Sequence, residues 1–199
     1  MMVLNDGSLT QQEPIQVTAG ATPLEMDIIA VHGEMLVLHA VPTLTFETHQ
    51  LNIGNLFRFF KQDNVGNGAT SIVTITTPDA EIDIHFRFEV IAEQEARIEF
   101  LENPTDITGG TANTPYNGNR NFADTTLVTL LDDPTVDDTG AITLNDVVIG
   151  AGSQERGEYD SLKRWILKRN EQYVLRVTNN TAQVNEISIV GLFFRIPPE

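Results

Sequence analysis

Across 199 residues the chain carries 28 acidic side chains against 12 basic ones, a formal charge of −16, and no cysteine. Such a field repels polyanions and argues against nucleic acid as a partner, while the missing thiols exclude cysteine nucleophiles, thiolate metal sites and disulfides. A chain of this length buries roughly 70% of its unfolded surface, enough to fold without a metal or disulfide staple.

From the start, Met1 to Pro14 carries Asp6 and Glu13 with neither a basic flank nor an apolar centre, so it does not read as a secretion signal. No run approaches the ~20 apolar residues of a membrane span. The expectation is a protein made and kept in a cytoplasm, with no membrane partner. Pro14 to Thr18, Met35 to Val41 and Thr43 to Thr48 read as extended; Leu24 to Val31 and Leu51 to Phe60 fit strands or short helices. Leu56-Phe57-Arg58-Phe59-Phe60 is the densest aromatic run and is expected in the core, with an exposed partner-binding patch as the alternative. Gln62 to Ala69 is a Gly/Asn loop.

The pattern sharpens after residue 70. Ser71 to Thr77 is β-branched almost throughout and stops at Pro78. Glu81 to Ala92 alternates Ile82, Ile84, Phe86, Phe88 and Val90 with Asp83, His85, Arg87 and Glu89, one buried and one wet face of a strand. The two read as a hairpin across Pro78-Asp79. Ala96, Ile98 and Phe100 continue the alternation after a short polar break. Thr126 to Leu131 and Ala141 to Ile149 are β-rich runs separated by Asp- and Pro-rich turns. Leu162 to Leu167 and Tyr173 to Thr178 flank Lys168 to Gln172, a five-residue hairpin loop. The last run, Glu186 to Ile196, places Ile187, Ile189 and Phe193 on one face and Val190, Leu192, Phe194 and Ile196 on the other. A strand apolar on both faces is either central in a two-layer sandwich or covered on its outer side by another subunit.

Many short strands between Gly, Pro, Asn and Asp turns predict an all-β fold, an antiparallel β-sandwich of jelly-roll type with about 8 to 10 strands. Residues 71–199 form the expected sandwich. Residues 1–70 are an irregular N-terminal segment, either an attachment arm or part of the same domain.

Chemistry is hard to find. A β-barrel metal site needs a closely spaced histidine pair with a downstream carboxylate, and His32, His39, His49 and His85 lack that spacing. His85 falls on the polar face of its strand, and His32 and His39 flank a Gly33-Glu34 turn. None of Ser8, Ser71, Ser153, Ser161 and Ser188 sits in a Gly-x-Ser-x-Gly elbow. Gly66-Asn67-Gly68 and Gly109-Gly110 lack the lysine and strand-to-helix setting of a phosphate loop. Asp132/Asp133 and Asp137/Asp138 lack calcium-loop spacing and read as solvated turn residues. The expectation is a non-enzyme with no catalytic residue, no metal and no cofactor. The polar stretch Thr108 to Asp124 is long for a compact domain. With Tyr116, Arg120 and Phe122 as anchors, it suits contact with a neighbouring subunit or a glycan, or a mobile surface loop.

Four runs carry a resemblance: Glu99-Phe100-Leu101-Glu102, Gly109-Gly110-Thr111, Asn117-Gly118-Asn119-Arg120-Asn121, and Trp165-Ile166-Leu167-Lys168 followed by Tyr173-Val174-Leu175-Arg176-Val177-Thr178-Asn179. Together they resemble a series in tailed-bacteriophage virion proteins, the jelly-roll capsid decoration or cement proteins, over Phe86 to Ile196. The family's last strand commonly ends in an aromatic-tyrosine-glutamate sequence, where this chain ends Phe193-Phe194-Arg195-Ile196-Pro197-Pro198-Glu199. The first seventy residues match nothing in the family. The resemblance implies a non-catalytic virion structural protein on the capsid exterior, a homotrimer assembled in the host cytoplasm and seated on the major capsid protein. The subunit or partner contacts then fall on Tyr116, Arg120 and Phe122 of the loop and on Val190, Leu192, Phe194 and Ile196 of the last strand. A tail, fibre or receptor-binding component that contacts host glycan is the alternative, and a carbohydrate-active β-sandwich enzyme the third.

Overall fold

Period-two alternation becomes paired backbone in the computed structural model, which describes residues 4–5, 8–9, 15–19, 22–31, 35–40, 45–123, 125–150, 157–160 and 164–196, with side chains from 45 onward. Pro14, Val41, Thr43, Asp124 and Leu162 lie outside the described residues, as do His32 and the side chain of His39. The chain divides into two compact units, Met1–Asn52 and Ile53–Glu199.

In the first unit, β1 (Leu4–Asn5) pairs with β2 (Ser8–Leu9), and β3 (Ile15–Ala19), β4 (Thr22–Val31) and β5 (Met35–Ala40) form an antiparallel sheet in that order. Then comes α1 (Phe46–Asn52). Thr45 to Thr48, expected to be extended, instead opens this helix. The Thr45 hydroxyl accepts the Thr48 amide at 3.3 Å and the Thr45 carbonyl accepts the His49 amide at 3.0 Å, an N-cap that favours a helical turn over a strand.

The second unit runs β6 (Leu56–Val65), β7 (Thr70–Thr76), β8 (Asp83–Ala92), β9 (Ala96–Glu102), β10 (Asp106–Thr108), β11 (Thr111–Asn113), β12 (Tyr116–Asn117), β13 (Thr129–Asp132), β14 (Thr135–Asp137), β15 (Ile142–Ile149), β16 (Gly157–Asp160), β17 (Trp165–Leu167), β18 (Gln172–Asn179) and β19 (Asn185–Ile196). One sheet has the order β12-β6-β19-β8-β16, with β17 also on β8; the other has β11-β13-β7-β18-β9-β15. All their pairings are antiparallel. Strands β6, β7, β8 and β9 alternate between the sheets, and β15, β16, β18 and β19 alternate back. The resulting quartets, β6-β19-β8-β16 and β7-β18-β9-β15, have the strand order of a jelly roll. Because β6 is in the first sheet, the sandwich begins well before residue 71.

This winding corrects two expected hairpins. Pro78-Asp79 joins β7 in one sheet to β8 in the other, and Lys168 to Glu171 joins β17 to β18 in the same way. Alternation marks a strand but is identical whether the chain turns back beside itself or crosses to the other layer. The stretch expected as a loop from Thr108 holds two short strands before Ala123, β11 and β12. The excursion from Asn103 to Ala141 lays β13 and then β11 beside β7, and β12 beside β6, adding two short strands to one sheet edge and one to the other, which shields β6 and β7 from foreign pairing.

Between the sheets the core is aromatic. Phe57 stacks on Phe193 with centroids 5.5 Å apart, Phe59 on Phe86 at 6.3 Å, Phe88 on Trp165 at 5.5 Å and Phe100 on Tyr173 at 5.7 Å. Gly191 faces inward beneath the Phe59 ring, where a side chain would collide with it. The Tyr173 hydroxyl donates to Glu102 Oε2 at 3.1 Å and accepts the Lys168 amide at 2.7 Å, and burial raises its pKa. At the β6/β7 edge, the buried Lys61 ammonium lies 2.5 Å from Asp133 Oδ1 and 3.0 Å from Asp63 Oδ2, and donates to the Ile72 carbonyl at 3.2 Å. These bonds tie the two layers together and keep a buried charge partnered.

Candidate functional site

Inward-facing residues of β6, β19 and β8 build the core, so their alternates must form the sheet's outer face. Register places those alternates in rows. Val190 of β19 lies between Phe60 of β6 and Glu89 of β8; Leu192 lies between Arg58 and Arg87; Phe194 lies between Leu56 and His85. Tyr116 on β12 extends the Arg58 row, Asp160 on β16 extends the Glu89 row, and Ile166 on β17 extends the His85 row.

The outer face keeps large apolar groups in water. Phe60 is 50% exposed, Tyr116 41% and Ile166 63%, with Val190 and Ile196 half-buried. Leu192, flanked by the two arginines whose aliphatic stems can lie over it, is buried. Phe194 is also buried, stacked on His85 at 5.3 Å with the Arg164 guanidinium 5.3 Å from its ring. Burial lowers the His85 pKa; Asp83 opposes the shift and Arg164 adds to it. Between the Arg58 and Glu89 rows is a shallow cavity of about 110 Å³ lined by Arg58, Arg87, Glu89, Asp160, Val190 and Leu192.

The outer face of the opposite sheet carries ion pairs and, on β15, Val148, which is 47% exposed beside Arg97. Arg97 donates to both carboxylate oxygens of Asp146 at 2.9 and 2.7 Å and lies 3.4 Å from Glu99. Arg176 is 2.7 Å from Asp138 and 3.7 Å from Glu99. The bond from Arg97 holds the Asp146 carboxyl below its ordinary pKa.

Asn117 organises the loop after β12. Its buried amide donates to the Gly54 carbonyl at 2.8 Å and the Ala123 carbonyl at 3.3 Å, and its oxygen accepts the Asn119 amide at 2.9 Å. The Gly118 amide bonds to the Leu56 carbonyl at 2.8 Å. Phe122 packs its ring on Gly54, whose φ of 74° and missing Cβ make the approach possible. Arg120 donates to the Asn117 carbonyl at 3.3 Å and lies 5.9 Å from the Tyr116 ring centroid.

The structure therefore places Tyr116, Val190, Leu192, Phe194 and Ile196 on one sheet face, with Arg120 beside Tyr116. Phe122 packs at the entry to β6. Leu192 and Phe194 are covered within the chain, leaving Val190, Ile196 and Tyr116 as the accessible members. Sequence reasoning missed Arg58, Phe60, Arg87, Glu89 and Asp160. The signal for Arg58 and Phe60 is their alternation with Phe57 and Phe59, obscured by reading the whole aromatic run as core. Among the described residues no three His, Asp or Glu side chains are grouped to hold a metal ion, and no helix is long and apolar enough to cross a membrane.

No family model matches the chain, and no curated protein matches it. Among solved structures, the structure of infectious bursal disease virus Gx strain aligns at 12% identity with a TM-score of 0.12, covering 93% of this chain and 49% of that one. The chain thus spans about half the length of the viral chain, and a score this low carries no weight for fold or function.

Proposed function

We propose that the chain is a non-catalytic virion structural protein, a decoration protein that stabilises the outside of a phage head through contacts with the major capsid protein and its own copies. One observation carries the reading: the β6-β19-β8 face keeps Phe60, Tyr116 and Val190 accessible in rows beside Arg58 and Arg87. Exposed aromatic and arginine side chains are enriched in protein interfaces, and a contiguous apolar patch on a soluble domain marks a contact surface. A jelly roll suits this role without deciding it; the four sequence runs supply the link to phage heads.

Antibody-gold labelling of virions, with cryo-electron microscopy of particles lacking the protein, tests the proposal. Label on the head surface and heads that burst at lower temperature without the protein are expected. Label confined to the tail, or heads of unchanged durability, overturns it. One observation favours the tail or receptor reading: Tyr116, Arg120 and Asn121 are exposed on a loop ordered by Asn117, an arrangement suited to a glycan. Adsorption lost on Tyr116→Ala, with heads intact, would favour it.

A further inference from the structure

Two neighbouring rows on the outer face are complementary to each other. Along one lie Phe60, Val190 and Glu89; along the next lie Arg58, Leu192 and Arg87, each on the same strand as its counterpart. We propose that this face pairs with the same face of a second copy about a two-fold axis lying in the interface, across the strands and midway between the rows. The proposal rests on reading this face as an assembly surface.

Rotation by 180° about that axis keeps the strand order and exchanges the rows. Phe60 then faces the partner's Arg58, Val190 faces the partner's Leu192, and Glu89 faces the partner's Arg87. A cation meets an aromatic ring, Val190 meets the arginine stems that cover the partner's Leu192, and a carboxylate meets a guanidinium. Each contact occurs twice, because the interface is self-complementary. Strands of the two copies run nearly antiparallel across the contact, as in aligned sheet packing with faces about 10 Å apart. The cavity between the rows gives the long arginine side chains room to lie down as the faces close.

The area is adequate. Three central strands about 30 Å long and spaced about 4.8 Å, with the short β12, β16 and β17 at their sides, offer on the order of 600 Å² per copy, the low end of a standard interface at ~800 Å² per partner. Charge complementarity at the centre is needed because each copy carries −16 and the two repel at long range. A trimer, as the resemblance implies, joins two different faces of each subunit and leaves the match between these rows unused.

Sedimentation equilibrium of the full chain tests this, with the expected mass twice the 22.0 kDa of one copy. Val190→Asp gives the monomer mass with an unchanged β-sheet circular dichroism spectrum. Arg87→Glu and Glu89→Arg each set like charges face to face and raise the dissociation constant about 100-fold or more. Combining them restores opposite charges across the axis and returns the constant to within about tenfold of the original. If Val190→Asp unfolds the chain, this charge exchange alone decides. A monomer or trimer in the unaltered protein, or a double variant as weak as the single ones, overturns the pairing. Gold label on heads from a protein that does not pair would overturn the dimer alone, and a dimer absent from heads would overturn the decoration reading alone.

Discussion

Replacing Gly191 with alanine sets a methyl group into the ring of Phe59. The added Cβ would lie 1.9 Å from Cε1, 2.1 Å from Cζ and 2.7 Å from Cδ1. Ordinary carbon contact begins near 3.5 Å, so the ring must retreat by roughly 1.5 Å. It has little room to do so, because Phe59 is fully buried and lies parallel to Phe86 at 6.3 Å. Overpacking in a core costs about 1–3 kcal/mol, and an overlap this deep belongs at the upper end. Removing the conformational freedom of glycine from the unfolded chain offsets about 0.5–1 kcal/mol. The net loss is about 2 kcal/mol, and at about 2–4 °C per kcal/mol for a chain of this size the melting midpoint falls by about 4–8 °C. Calorimetry of Gly191→Ala, Phe59→Leu and the double variant measures both the loss and its origin. A smaller, more flexible side chain at 59 can move aside, so the double variant is more stable than the sum of the two single losses by at least ~1 kcal/mol. A Gly191→Ala protein melting within a degree of the original, or two substitutions that add, would refute the placement of that ring over the glycine.

Three other changes test separate contacts. Lys61→Met removes the shared cation of Asp63 and Asp133, which stay part-exposed and bonded to Ser71 and the Ile72 amide, so urea unfolding should show a loss of about 1 kcal/mol. Asn117→Ala removes the buried amide bonded to Gly54, Ala123 and Asn119; it should cost about 2 kcal/mol and speed tryptic cleavage after Arg120, as followed by mass spectrometry. Burial holds the His85 pKa below its ordinary 6.5, with Asp83 opposing and Arg164 adding to the shift, so the unfolded chain takes up this proton first. Stability is therefore intact above pH 6.5 and declines as pH falls from there toward the lowered folded value. Melting curves across that window should slope less for His85→Gln, and an unchanged slope would sink the assignment.

Residues 83–92 were readable from sequence because every second side chain enters the core and the others meet solvent. What that pattern lacked was the identity of the neighbour: β7, β8 and β9 look alike whether they meander or switch layers, and only packing decides. β11 and β12 left no trace, since Thr111-Ala112-Asn113 and Tyr116-Asn117 are too short to alternate and join their sheets through backbone bonds. The doubled apolar pattern of the last strand put Val190, Leu192, Phe194 and Ile196 on one face, of which Leu192 and Phe194 are buried within the chain. The complementary rows were invisible before the register was known, because Arg58, Arg87 and Glu89 acquire meaning only by lying beside Val190 and Leu192. Phe60 was misread for the opposite reason: its composition said core, and its phase relative to Phe59 said surface.

The hydrogen bonds at the two Asn-Gly steps also bear on how the protein ages. Such dipeptides deamidate when the glycine nitrogen swings round to attack the asparagine side-chain carbonyl and close a succinimide ring. Here the Gly68 amide is committed to the Asn179 carbonyl at 3.1 Å and the Gly118 amide to the Leu56 carbonyl at 2.8 Å. In addition, the Asn117 side chain is anchored to Gly54 and Ala123. Each nitrogen would have to leave its partner before it could attack, so both steps are shielded in the folded state and open to the reaction once the chain unfolds. Slow conversion of Asn117 and Asn67 to isoaspartate would then record the time a molecule has spent locally open, a chemical clock written into the chain itself.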